Sequence, residues 1–116
     1  MSNSLDEFIE VIEAGYEFML AYAAQGRQSD EGPGGSEVRT TLTGMSEAAA
    51  KIAEVMAGDN SDFASVVLED ARKSLAAIEL VLCQDKISSE LIDNLNASIH
   101  VRALLTDLFL LSETIS

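Results

Sequence analysis

The chain is short of the residues that most often carry chemistry. It has one cysteine, Cys83, so no internal disulfide can form, which suits a reducing compartment. It has one histidine, His100, so any catalytic triad or metal set has a single imidazole to draw on. Its one proline, Pro33, falls in a glycine-rich stretch. Positive charge is scarce too: 7 Lys and Arg stand against 20 Asp and Glu, for a formal charge of −13. The seven bases are scattered, and only Arg72 and Lys73 are adjacent. Such a chain repels nucleic-acid phosphates and anionic lipid, so neither direct nucleic-acid binding nor membrane binding is expected. The strongest apolar run, Val101 to Leu111, is interrupted by Arg102 and Asp107 and is too short to span a bilayer. The first residues lack the basic segment and apolar run of a signal peptide, and the expected location is cytoplasmic.

Hydrophobic residues make up 47% of the 116 positions, an ordinary share for a globular protein. One domain of this size buries roughly 65% of its unfolded surface. A single domain over residues 1–116 is therefore expected.

Apolar spacing is helical nearly throughout. Leu5, Phe8, Ile9, Ile12, Tyr16 and Met19 follow steps of three and four, with Ser4 and Glu7 spaced as a capping box. Gly15 is a mild weak point in that helix, and Gly26 a natural stop. Residues 26–35 hold four glycines and the proline and read as a loop longer than a bundle usually needs. The simplest expectation for it is a flexible connector, ending in Ser36 as the next N-cap. Val38, Leu42, Met45, Ala49, Ile52 and Met56 make a second helix, with a bend or break expected at Gly44. A third is expected from about Asp62 to Leu82, after the stop-and-start sequence Gly58-Asp-Asn-Ser61. Ser88 or Ser89 caps a fourth helix, striped by Leu91, Ile92, Leu95, Ile99, Leu105 and Leu108 and running to Leu111. No strand pattern and no internal repeat is present. The expectation is an all-α protein, an antiparallel helical bundle of about four helices.

Familiar chemistries lack their residues. No elbow motif surrounds any serine. Di-iron bundles need Glu-x-x-His pairs, but Ala97 stands three residues before His100. One Cys and one His do not make a structural zinc site, and Asp59-Asn-Ser-Asp62 lacks the spaced ligands of a calcium loop. Met19 and His100 are haem-type ligands without an attachment motif. Gly32-Pro-Gly-Gly-Ser36 has neither the lysine nor the preceding strand of a phosphate loop. No metal and no cofactor is expected. Histidine phosphotransfer domains are four-helix bundles of similar size with an exposed histidine, usually followed by lysine and glycine. The run His100-Val-Arg-Ala departs from that pattern, so His100 as phosphoacceptor rests on fold analogy alone.

Two features remain. Glu10, Glu13 and Glu17 form an acidic helix face able to steer a basic partner. The stretch around Leu104, Leu108, Phe109 and Leu111 is apolar over more of its circumference than one stripe requires, as in a deeply buried helix or a dimer seam. The leading expectation is a non-enzymatic protein–protein interaction module (an adaptor, regulator or specialised chaperone) that forms a homodimer. The alternatives are a phosphotransfer component using His100 and an acidic inhibitor that mimics nucleic acid.

Overall fold

The computed structural model describes residues 2–114. Five α-helices follow one another: α1 (Ser2–Ala23), α2 (Glu37–Ala57), α3 (Asp62–Leu82), α4 (Ser89–Ala97) and α5 (His100–Thr114). No strand occurs among the described residues. α2 lies against both α1 and α3, α4 packs on α1, and α5 packs on α3 and α1. The body measures 44 × 22 × 20 Å.

The apolar stripes meet in one core. Ile12, Met19 and Tyr22 of α1 join Val38, Leu42, Met45 and Ile52 of α2, Val67, Ala71 and Ile78 of α3, and Ile92, Val101, Leu104 and Leu108 of α4 and α5. Each large aliphatic side chain fully withdrawn from water stabilises the fold by about 1.5–3 kcal/mol before conformational entropy is set against it.

Helix ends follow local chemistry. The Ser61 hydroxyl accepts from the Ala64 N–H at 3.3 Å to start α3, and Ser88 accepts from the Leu91 N–H at 3.0 Å to start α4. Two expected caps differ. α1 begins at Ser2, which places Ser4 inside the helix. Ser36 does precede α2, but in a helical backbone conformation and with no capping bond from its side chain.

The expected fourth helix is two helices. The Ser98 hydroxyl donates to the Leu95 carbonyl at 2.6 Å, competing with the helical ladder. Ile99 then adopts φ 64°, the left-handed region, and its N–H closes on the Asn96 carbonyl at 3.1 Å. A β-branched residue in that conformation costs roughly 1–2 kcal/mol, so the surrounding packing holds the corner in place.

Gly44, by contrast, lies inside an unbroken α2. Gly15 is needed where it is: a Cβ there would overlap the thioether of Met45 on α2.

Candidate functional site

The glycine-rich loop is a built structure. Tyr22, at the end of α1, is fully buried and donates its hydroxyl to the Ile87 carbonyl at 2.6 Å. Burial raises the phenol pKa, which keeps it a donor. Ser89 is buried beside it; its hydroxyl donates to the Tyr22 carbonyl at 2.6 Å and accepts from the Arg27 N–H at 2.8 Å. The Ser89 N–H donates to the Arg27 carbonyl at 2.9 Å. The Arg27 guanidinium lies 5.8 Å from the Tyr22 ring centroid and donates to the carbonyls of Ser29, Glu31 and Pro33. Gly35 packs so closely on the Asp30 carbonyl that a Cβ would overlap it.

Asp30 ties this loop to both neighbouring segments. One carboxylate oxygen accepts from Arg39 Nε at 2.7 Å, the other from the Ile87 N–H at 2.9 Å. The Arg39 bond first, and the Ile87 bond second, hold its pKa below the usual carboxylate value. Arg39 also donates to the carbonyls of Leu82, Gln84 and Asp85, covering the C-terminal end of α3 where the helix dipole favours a cation. These partners are structural, and they tie the loop to the start of α2 and to the segment between α3 and α4.

On the flank of the body, α1 and α2 enclose an open groove of about 380 Å³. Phe8, Val11 and Ala48 supply its apolar surface; Glu7, Glu10 and Glu47 supply carboxylates, with Lys51 as the one base. Val11 remains 41% exposed there. Gly44 also lines the groove, and a Cβ on it would meet nothing within 4 Å. A missing side chain on α2 thus leaves room that α1 does not fill.

The structure separates the residues singled out from sequence. Glu10 lines the groove, whereas Glu13 and Glu17 lie further along α1, half-buried and exposed. Leu104 and Leu108 are fully buried in the core of the single chain; Phe109 is 40% exposed and Leu111 half-buried. Leu110, next to them, is 54% exposed. His100 is half-buried at the first position of α5, where its carbonyl accepts from the buried Ser74 hydroxyl at 2.9 Å. Cys83 is exposed, at the end of α3. Among the described residues, no three His, Cys, Asp or Glu side chains are grouped to hold a metal ion, and no helix is long and apolar enough to cross a membrane.

Sequence reasoning missed Phe8, Val11, Gly44, Glu47 and Lys51 as one surface. The signal available was Gly44: a glycine inside a helix that does not break is a gap, and a gap facing a carboxylate-rich helix is a groove. Comparison with family models, with curated proteins and with solved structures gives no match.

Proposed function

We propose that this protein is a non-enzymatic protein–protein interaction module, folded as an antiparallel bundle, that takes a basic segment with an apolar anchor into the groove between α1 and α2. The observation that carries this reading is the groove itself: apolar surface from Phe8, Val11 and Ala48 inside a rim of three carboxylates and one lysine. Partial exposure of Val11 leaves apolar surface for an anchor to cover. The rim, on a chain of net charge −13, attracts cations and speeds their encounter. The antiparallel reading is supported by Arg39, at the start of α2, reaching Leu82, at the end of α3.

The test is titration calorimetry with a synthetic amphipathic peptide of lysine and leucine. Wild-type protein should bind it, more weakly as salt rises. Glu7→Lys with Glu10→Lys should abolish binding, and Gly44→Leu should weaken it by filling the groove without changing charge. Equal affinity for wild type and both variants would sink the proposal.

A homodimer is the second part of this reading, favoured by the exposed Phe109 and Leu110 on α5. With Leu104 and Leu108 in the core, the seam reduces to Phe109, Leu110 and the outer side of Leu111. Light scattering on a sizing column should show a dimer that Phe109→Glu with Leu110→Glu converts to monomer. A wild-type monomer at every concentration removes this part.

A further inference from the structure

The groove between α1 and α2 is not uniformly acidic. Gly44, Ala48 and Lys51 follow one another along α2 at steps of four and three, and all three line the groove. They therefore run down one side of the helix. Two turns separate the gap at Gly44 from Lys51, about 10.5 Å along the axis.

Lys51 is exposed, and among the described residues the one ion pair is that of Asp30 with Arg39. Glu47 stands one turn before Lys51 on α2, the order that favours pairing, and Glu7 and Glu10 line the same groove, yet none of the three holds the lysine. The wall thus carries one point of opposite sign, at a fixed distance from the gap.

The same walls decide what backbone can lie there. The interior N–H and C=O groups of α1 and α2 are bonded within their own helices and offer an incoming chain no partner. An extended segment would lay unpaired backbone groups on apolar surface, whereas a helix satisfies its own.

We propose that the groove reads its partner in register: the occupant is a basic amphipathic helix that seats an apolar side chain in the gap at Gly44 and, two turns from that anchor, an acidic side chain on Lys51. This rests on the groove being the docking surface, and it makes Lys51 the residue that decides where the partner carries its acid. An acid placed elsewhere along the partner meets Glu7, Glu10 or Glu47 and is repelled.

Titration calorimetry with two helical peptides of identical composition tests the register. Both are rich in lysine and alanine with one central leucine. The matched peptide carries a glutamate seven residues from the leucine on each side; the mismatched peptide carries them five residues away. Seven residues keep leucine and glutamate on one face whichever way the peptide runs, and five put them on different faces. Wild type should bind the matched peptide about two- to fivefold more tightly, the range of one solvent-exposed ion pair. Lys51→Gln should equalise the two peptides, and Lys51→Arg should keep the preference. Lys86→Gln, at an exposed base between α3 and α4, should keep it as well. Equal binding by the wild type, or an undiminished preference in Lys51→Gln, overturns the registered contact while leaving the groove a docking site. Failure of both peptides to bind overturns the groove reading itself, and the register with it.

Discussion

Gly15 and Gly44 are both glycines inside unbroken helices, and they should respond oppositely to one methyl group. At Gly44 a Cβ meets nothing, so Gly44→Ala should add about 1 kcal/mol of stability from helix propensity alone. At Gly15 the same gain is outweighed. The methyl overlaps the thioether of Met45, which is itself fully buried, and moving it costs about 1–3 kcal/mol. Urea denaturation of the two variants should therefore shift in opposite directions; parallel shifts would contradict the packing between α1 and α2. Sequence alone shows each as a glycine on a helical pattern. Which one faces another helix is decided by a residue 30 positions away, in the first case, and by empty space in the second.

At the scale of elements, the stripes of α1, α2 and α3 were legible because their apolar periodicity is unbroken, with a glycine after α1 and after α2 and a capping serine before α3. The division between α4 and α5 was not. Asn94, Asn96 and Ser98 weaken the helix without punctuating it, and the residue that turns the corner is isoleucine, where a glycine or asparagine would signal the turn. The loop was legible as a loop but not as an ordered one. Its order comes from Arg27, Asp30 and Arg39, whose partners lie on distant segments and which read in sequence as scattered charges. Asp30→Ala leaves the Ile87 N–H unpaired and Arg39 without its carboxylate, and should cost about 2 kcal/mol at neutral pH. The pKa of Asp30 is lowered on folding, so its contribution is complete above the ordinary value of 3.8 and is lost as the pH falls through the lower folded value. The stability difference between wild type and Asp30→Ala should be widest above about pH 4 and close below it. A difference that persists unchanged into strong acid would assign the cost to something other than the carboxylate.

For the whole molecule, the charge of −13 is nearly unrelieved, since Asp30 with Arg39 is the one ion pair found among the described residues. The acidic balance was plain in the sequence. Its concentration beside exposed apolar surface was not, because Glu7 and Glu10 share the groove with Glu47 only once α1 is laid on α2. The same body joins near and far contacts. α2 and α3 are linked by the short turn of residues 58–61, whereas Tyr22 reaches Ile87 across 65 positions. Closing the longer loop costs more chain entropy, so the order in which the parts assemble follows from the hydrogen bond that Tyr22 makes. The α2–α3 hairpin can form first and the tyrosine closes last, which makes it a latch on the way out rather than a guide on the way in. Tyr22→Phe, by removing about 1 kcal/mol, should speed unfolding roughly fivefold in stopped-flow experiments and leave the refolding rate almost unchanged. A slower refolding limb would instead place the tyrosine in the folding nucleus.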